Sequence, residues 1–407
     1  MIIYYTVLGI IILDYLFNTW LNTRNHKASK SILPEDLKDI YDPEEYKKSM
    51  NYQEAKFKIS RLSGLLSLMV SLTFILLGGF RWLNNMVYSF QLSELLTSLL
   101  FFALLGMGSY IINLPFSYYK TFKIESEYGF NLMTKKIFWM DQFKGSLLTI
   151  VLGGVVLSLV ILIYQNLEED FWWLAWILIS LISIFITFFY SSLIVPLFNK
   201  QIPLEDGELK SKITQLSEKL KFNLDNIFVI DGSKRSTKAN AYFSGFGSKK
   251  RIVLFDTLIK DLKTDEILAV LAHEIGHYKK KHVIINMGLT MGLTGVMLWF
   301  FSLLVGNDLI AQSFGVESAN FHIGLVIFSF LYQPISELTG IGINYLSRQF
   351  EYQADNYAKH YTKGLDLIES LKKLSRKSLS NLTPDPVYEF VHYSHPNLNK
   401  RIKALKV

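Results

Sequence analysis

Two histidines and a glutamate in the segment LAVLAHEIGHYKKKHVIINMGLTMGLTGVML have the spacing of a metal site. His273, Glu274 and His277 form the pattern H-E-x-x-H. On a helix, residues i and i+4 lie on one face, so both imidazoles can reach one ion while Glu274 lies beside them. A hydrolytic zinc ion has three protein ligands and one position for a water, whose pKa it lowers to about 7, and a neighbouring carboxylate can take the proton. The pattern therefore predicts zinc-dependent hydrolysis, with one Zn²⁺ per chain and Glu274 as general base.

The third ligand has to come from another part of the chain. Glu351 in SRQFEYQADNYAKHY is the candidate, and Asp355 follows one helical turn later on the same face, where it can accept a hydrogen bond from a ligand histidine. The alternative is a solvated acidic face that balances Arg348, and the residues alone leave both open. His282 and His360 are expected at the protein surface.

The composition indicates an integral membrane protein with substantial polar loops. Half of the 407 residues are hydrophobic, 14% are aromatic and 19% are charged, whereas a soluble chain has about 25% charged residues. The chain has no cysteine, which excludes disulfides and thiolate metal sites and leaves His, Asp and Glu as ligands.

Seven apolar stretches are long enough to cross a bilayer, which takes about 20 residues of helix. The predicted spans are Ile2–Trp20, Leu62–Phe80, Leu92–Asn113, Gly145–Tyr164, Phe171–Val195, Val283–Val305 and Ile323–Ile343. Asp14, Gln333 and Glu337 fall within them and should face protein or a water-filled space. They are expected either on the wall of such a space or as hydrogen-bond partners between helices.

The distribution of charge predicts the orientation. Segments 21–61, 114–144 and 196–282 and the C-terminal tail lie on one side, and the first of them alone contains nine Lys or Arg residues. The loops on the opposite side are acidic, with Arg81 as their basic residue. The positive-inside rule therefore makes the large loops and the C-terminus cytoplasmic. The net charge of +7 then reflects topology and contact with lipid headgroups. Nucleic-acid binding is not expected, since no basic stripe with interleaved aromatics is present.

The loop 196–282 has the pattern of a small α+β unit. GELKSKITQLSEKL has helical periodicity, and Ile227–Asp231, Asn240–Phe246 and Arg251–Thr257 are predicted strands, the last two joined by a turn at GSKK. The HExxH helix follows. The predicted architecture is mostly α, a polytopic membrane protein of about seven helices with a zincin-like catalytic unit. Its segments are 1–195 with five membrane helices, 196–282 with the zinc-protease unit, 283–343 with helices six and seven, and 344–407, which supplies the third ligand.

Several longer motifs resemble one family, the type I CaaX prenyl endopeptidases, which are integral-membrane zinc metalloproteases. LPFSYYKTFKIESEYGFNLMTKKIFWMDQFK, PLFNKQIPLEDGELKSKI, IFVIDGSKRS, NAYFSGFG, HEIGH, RQFEYQAD and YSHP occur in the family's order. The resemblance extends from about Leu114 to Asn397. It implies seven membrane helices that enclose a large water-filled chamber, with the zinc site facing inward.

The resemblance also implies roles for individual residues. It makes His273, His277 and Glu351 the zinc ligands, Glu274 the general base and Asp355 the aspartate that orients a ligand histidine.

The resemblance also implies residues that contact the substrate. The resemblance implies that His395 in YSHP stabilises the oxyanion and that Asn240 lies at the substrate cleft, which Ala241 and Tyr242 extend. Arg348 either orients Glu351 or contacts a substrate carboxylate. On the residues alone, His395 reads as a turn histidine and Asn240 as a strand-entry residue. An extended peptide can add to an exposed strand edge at NAYFSGF, which brings its scissile carbonyl over the metal.

The predicted function is a membrane-embedded zinc endopeptidase that cuts near the C-terminus of a prenylated or membrane-associated protein. Members of the family remove the last three residues after a prenylated cysteine. The alternatives are a broader quality-control protease for membrane proteins and a non-catalytic transporter or scaffold that zinc stabilises. Expected partners are a peptide or protein, isoprenylated or not, and membrane lipid, and the sequence does not indicate an oligomeric state. Cysteine-free composition rich in Lys, Asn and Ile favours a bacterial inner membrane over the endoplasmic reticulum.

Overall fold

The structure is a computed structural model, and it describes residues 1–222, 224, 226–244 and 251–407. The predicted turn at Gly247–Lys250 lies outside the described residues.

Seven helices in the described part of the chain are long and apolar enough to cross a membrane. These helical segments are Ile2–Ala28, Pro43–Leu76, Glu94–Glu125, Lys135–Leu167, Phe171–Phe198, His282–Val305 and Phe321–Tyr361. Each contains the core of one of the predicted spans, because about 20 consecutive apolar residues leave a helix as the structure that satisfies its own backbone in lipid.

The N-terminal half is helical almost throughout. Its α-helices are α1 Ile2–Ala28, α2 Pro43–Leu76, α3 Gly79–Tyr88, α4 Glu94–Tyr119, α5 Lys135–Leu148, α6 Gly154–Leu167, α7 Phe171–Phe189 and α8 Val195–Phe198. Three π-helical turns continue or join them, at Lys120–Glu125, Thr149–Gly153 and Tyr190–Ile194, and short 3₁₀ helices occur at Glu35–Leu37 and Glu168–Asp170.

A small mixed sheet follows the fifth membrane segment. Its strands are β1 Gln201–Pro203, β2 Asn226–Ile230, β3 Ala241–Ser244 and β4 Arg251–Phe255, in the spatial order β1-β2-β4-β3. The β2–β4 pair is parallel and the other two pairs are antiparallel. Three strands were predicted, and β1 was missed because three residues ending in a proline carry no alternating pattern. Among the described residues, β3 has a strand partner on one side, so its other edge is open.

The helices around the sheet complete the catalytic half. They are α9 Glu208–Lys219, α10 Asp256–Asp261, α11 Thr264–Lys279, α12 His282–Val305, α13 Asp308–Ser313, α14 Phe321–Tyr361, α15 Gly364–Lys377, α16 Pro386–His392 and α17 Leu398–Lys406, with a 3₁₀ turn at Gly232–Lys234. One hydrophobic core joins α9, β4, α11, α15 and α17, and it includes Leu37 and Tyr52 from the N-terminal half. The unit predicted at 196–282 therefore shares its core with segments far away in the sequence.

Helix α14 is longer than the predicted seventh span. Asn320 caps it by accepting a hydrogen bond from the Ile323 amide at 3.0 Å, and the helix then runs for 41 residues. At 1.5 Å per residue this is about 60 Å, about twice the hydrocarbon thickness of a bilayer. The helix thus continues past Ile343, where the predicted span ends, and Glu351 lies about 12 Å further along its axis.

Polar residues inside the predicted spans join helices. The Asn18 amide on α1 donates to the Asp14 carboxylate at 2.8 Å and lies 3.5 Å from a carboxylate oxygen of Glu337 on α14. Asp14 and Gln333 line a separate cavity of about 440 Å³. The contacts support the interhelical role for Asp14 and Glu337, whereas Asp14 and Gln333 lie on the wall of a cavity, as the other alternative expected.

Candidate metal centre

Helix α11 carries both histidines of the HExxH pattern. The Glu266 carboxylate fixes its first turn by accepting a hydrogen bond from the Lys263 amide at 2.8 Å. His273 is buried, and Glu274 and His277 are half-buried on the face towards a cavity. The helix ends at Lys279, and Lys281 has a left-handed backbone with φ of 60°, which turns the chain into α12.

Glu351 of α14 meets the two histidines. Nε2 of His273 and Nε2 of His277 are 3.1 Å apart, and they lie 3.5 Å and 3.2 Å from the two Glu351 carboxylate oxygens. One ligand atom from each residue falls within 4.8 Å of the others. Glu351 and Asp355 are both buried, so the alternative of a solvated acidic face is excluded.

This donor set fits a zinc ion. Oε2 of Glu351 is buried and has no hydrogen-bond partner, although a carboxylate oxygen out of water normally has one. Ligands of tetrahedral zinc at about 2.0 Å from the ion are roughly 3.3 Å from each other, which agrees with the separations of 3.1, 3.2 and 3.5 Å. Two imidazoles and one carboxylate also match the protein ligands of hydrolytic zinc sites.

Asp355 lies behind His273, as the resemblance implied. Its Oδ1 is 2.8 Å from Nδ1 of His273, a position from which a carboxylate can orient the ring and leave Nε2 facing Glu351. Arg401 of α17 donates two hydrogen bonds to Asp355, at 2.8 Å and 2.6 Å, and lies 3.4 Å from Glu351. Arg401 was not expected at the site. It lies 46 residues after Asp355, and no sequence spacing relates the two.

His282 is not at the surface, and that expectation was wrong. Its side chain is 2% exposed, and it stacks on Phe350 with ring centroids 4.1 Å apart. Its Nδ1 lies 3.0 Å from Nδ1 of His277. The positive φ at Lys281 is the reason, because it returns the chain into the protein directly after three lysines. His360 is exposed, as expected.

Glu274 faces a cavity of about 780 Å³ that also borders His273, His277 and Glu351. Burial raises the pKa of Glu274 above that of an ordinary glutamate, and the nearby His273 and His277 oppose this shift. A carboxyl group with a raised pKa can both take and hold a proton near neutral pH, which suits general acid–base chemistry.

His395 follows α16, and Arg348 of α14 contacts the segment that leads to it. Nε2 of His395 is 3.2 Å from Glu351, and its ring is open to the cavity. Arg348 does not contact Glu351 in the described structure. Its Nη1 donates instead to the backbone carbonyls of Glu389 and Tyr393. Arg348 therefore fixes the segment that ends in His395.

The open edge of the sheet forms another wall of the cavity. Asn240, Ala241 and Tyr242 all line it. The Asn240 carbonyl accepts a hydrogen bond from the Phe255 amide at 3.0 Å, which fixes the start of β3 on β4. Of the predicted substrate residues, Ala241 and Tyr242 thus lie on β3 and Asn240 directly before it, beside the candidate metal ligands.

Comparisons with known proteins cover nearly the whole chain. Residues 22–200 match the family described as CAAX prenyl protease N-terminal, five membrane helices, and residues 203–407 match peptidase family M48. The chain is 37% identical to CAAX prenyl protease 1 of Saccharomyces cerevisiae over 425 residues, which covers 98% of this chain and 94% of that protein. The Arabidopsis thaliana CAAX prenyl protease 1 homolog is 36% identical over 409 residues, covering 98% and 96%. The crystal structure of S. mikatae Ste24p superimposes with a TM-score of 0.95 at 36% identity, covering 100% of this chain and 99% of that one.

Proposed function

Because the chain belongs to peptidase family M48, with the CAAX prenyl protease N-terminal region, we propose that this multi-pass membrane metalloprotease uses zinc to cleave near the C-terminus of prenylated or membrane-associated proteins. The observation that carries the proposal is the convergence of His273, His277 and Glu351 beside Glu274 in one cavity. Three protein ligands leave a coordination position free, which is typical of catalytic rather than structural zinc.

The residues of the site divide the reaction between them. When bound, zinc acts as a Lewis acid that polarises the scissile carbonyl and acidifies water. Glu274 takes the proton of the attacking water and returns it to the leaving amine, a role that its raised pKa supports. His395 donates a hydrogen bond from Nε2 to the oxygen on which negative charge develops.

The peptide substrate binds as a strand against β3. Backbone hydrogen bonds to the open edge at Asn240–Tyr242 place the chain across the cavity that holds Glu274. The same cavity borders Phe188, Ile284 and Met287 from the membrane helices α7 and α12. An apolar group attached to the peptide can therefore lie against these helices while its peptide bond reaches the metal ligands.

The substrate reaches the site from the cytoplasmic side of the membrane. The basic loops and the C-terminus face the cytoplasm by the positive-inside rule. The relatives named above are eukaryotic, and the location in a bacterial inner membrane remains a prediction from composition.

The test compares three peptides and three proteins. Purified protein is incubated with a farnesylated CaaX peptide, its unlipidated counterpart and a membrane-protein fragment without the motif. Glu274→Gln should retain zinc but lower kcat by about 10²–10⁴-fold, the usual contribution of a general base. Glu218→Gln, at an exposed position on α9, is the matched control and should cleave like the parent.

The outcomes separate the candidate functions. Preferential cleavage of the farnesylated peptide supports the CaaX-type substrate, and equal cleavage of all three supports the broader quality-control protease. Full cleavage by Glu274→Gln would refute the mechanism. A parent protein that binds zinc but cleaves none of the peptides would favour the transporter or scaffold.

A further inference from the structure

The two histidine ligands are supported from behind by different chemistry. Nδ1 of His273 meets the Asp355 carboxylate at 2.8 Å, whereas Nδ1 of His277 meets Nδ1 of His282 at 3.0 Å. Metal-binding histidines commonly donate their second ring N–H to a carboxylate, a carbonyl or a water. At His277 a second imidazole, that of His282, takes the place of these usual acceptors. The proposed mechanism gives His282 no role.

A metal at Nε2 of His277 would leave one arrangement of the protons. The His277 ring proton would then be on Nδ1 and point at His282. Nδ1 of His282 must then accept, which leaves the His282 proton on Nε2, since a neutral imidazole has one N–H. That Nε2 is 3.2 Å from Oε1 of Gln353, an acceptor. The donor and acceptor assignments are consistent through all three residues.

We infer that His282 is a positioning residue that fixes the tautomer and the ring orientation of the ligand His277 through the chain His277 Nδ1–H to His282 Nδ1 and His282 Nε2–H to Gln353 Oε1. This inference rests on the proposed function, because it assumes a metal at Nε2 of His277. The backbone supports it. The left-handed turn at Lys281 places His282 at the first residue of α12, five residues after the ligand it supports.

The surroundings of His282 keep its ring in this place. The ring stacks on Phe350, with an angle of 10° between the ring planes and 4.1 Å between the centroids. Phe350 is the α14 residue that precedes the ligand Glu351. The stack holds the plane of the ring, and the hydrogen bonds hold its rotation. His282 therefore connects His277 to the α14 residue that precedes Glu351.

The chemical consequence is an asymmetric site. His273 is backed by a carboxylate, which increases the electron density on the ligand, and His277 is backed by a neutral group, which does so less. The carboxylate behind His273 is itself paired with Arg401. A neutral group behind His277 adds no further negative charge at the site, so an ion held by His273, His277 and Glu351 would keep more of its Lewis acidity.

Two substitutions separate the hydrogen bond from the packing. His282→Phe keeps an aromatic ring to stack on Phe350 and removes the acceptor. His282→Asn loses the stack but places its side-chain oxygen near the position of Nδ1 and keeps the acceptor. Zinc affinity of the full-length protein in detergent is measured by competition with a chelating dye, and the unfolding temperature of the metal-free protein is measured beside it.

We expect His282→Phe to change mainly the zinc affinity and His282→Asn to change mainly the unfolding temperature of the metal-free protein. His282→Phe should bind zinc about 10–100-fold more weakly, the usual cost of losing such a support, with little change in the metal-free unfolding temperature. His282→Asn should keep most of the zinc affinity and lower that temperature. Gln353→Leu, which removes the final acceptor, should weaken zinc binding less than His282→Phe.

Three results would overturn the inference. They are parent-like zinc affinity in His282→Phe, a loss in His282→Asn as large as that in His282→Phe, and a fall in zinc affinity that follows the metal-free unfolding temperature in every variant. A parent protein that binds no zinc would overturn the proposed function and this inference with it, whereas normal binding by the parent and by His282→Phe removes this inference alone.

Discussion

At the scale of single residues, the buried charges of Glu351, Asp355 and Arg401 determine which ion the site can bind. Glu351 and Asp355 are buried one helical turn apart, and two carboxylates in that arrangement repel each other. Arg401 compensates for one of them by its double hydrogen bond to Asp355. The remaining negative charge lies on Glu351 next to the imidazoles of His273 and His277, an arrangement that suits a divalent cation.

Arg401 can be tested through its charge. Arg401→Met preserves much of the side-chain length but leaves Asp355 buried without its partner. Breaking a buried ion pair in this way costs about 3–5 kcal/mol, so we expect a clear fall in the thermal unfolding midpoint together with weaker zinc binding. Lys403→Met, at an exposed position on the same helix, is the matched control. An Arg401→Met protein as stable as the control would show that Arg401 does not hold the site.

Removal of the metal has its own prediction. A chelator should abolish cleavage and lower the unfolding midpoint, because an ion at 1,000 times its Kd stabilises a protein by about 4 kcal/mol. Added Zn²⁺ should restore both, and Mg²⁺ should not, since two imidazole nitrogens are poor ligands for a cation that prefers oxygen. Cleavage that persists after the metal content has fallen to zero would contradict a metal-dependent mechanism.

At the scale of elements, the site depends on how closely α11 approaches α14. Gly276 lies between the histidines on α11 and faces α14. A Cβ built at Gly276 would lie 3.1 Å from Cβ of Tyr357 and 3.2 Å from Cα of Ala354. Since Glu351 lies on the same helix as Ala354, the separation of α11 and α14 sets the distance from Glu351 to His273 and His277.

Gly276→Ala should therefore damage a site that it does not touch. The added methyl group pushes against backbone, and overpacking of this kind costs about 1–3 kcal/mol. We expect lower zinc affinity and lower kcat/KM with a moderate loss of stability. Gly288→Ala on α12, where nothing lies within 4 Å of the added Cβ, is the control and should retain activity. Unchanged zinc affinity in Gly276→Ala would mean that the two helices adjust independently of the site.

The elements also show what sequence can and cannot predict. The long helices and three strands were predictable because apolar length and alternation are local signals. A helical turn through Glu351 and Asp355 was also predicted, but its continuity with the seventh span was not, since hydropathy falls beyond Ile343 while the helix continues through buried polar residues. His282 was misjudged because three preceding lysines indicate exposure, and one left-handed residue reverses this. Arg401 reaches the site through tertiary packing alone, which no pattern within one sequence records.

At the scale of the molecule, the polar groups of the membrane helices cluster at several places in the described part of the chain, two of which bear on the site. Near the sheet, α7 and α12 border the cavity of Glu274, so the proposed catalytic residues and apolar helix surface meet there. Away from that cavity, Asp14, Asn18 and Glu337 connect α1 to α14. Arg24 of α1 also pairs with Asp385 at 3.0 Å, just before α16. Helix α1 therefore holds both α14 and the segment that leads to His395.

The orientation of the whole molecule can be tested with thiols, because the chain contains no cysteine and any introduced one is unique. Ser31 follows α1 on the predicted cytoplasmic side, and Ser318 lies between α13 and α14 on the predicted opposite side. Both are exposed, and serine to cysteine is a small change. In sealed vesicles with the cytoplasmic face outward, a membrane-impermeant maleimide should label Ser31→Cys at once and Ser318→Cys only after detergent is added. Seven spans place these two residues on opposite sides because five spans separate them, so equal labelling of both before detergent would contradict the number of spans. The reverse pattern would keep the number of spans but place the metal centre and its substrate on the other side of the membrane.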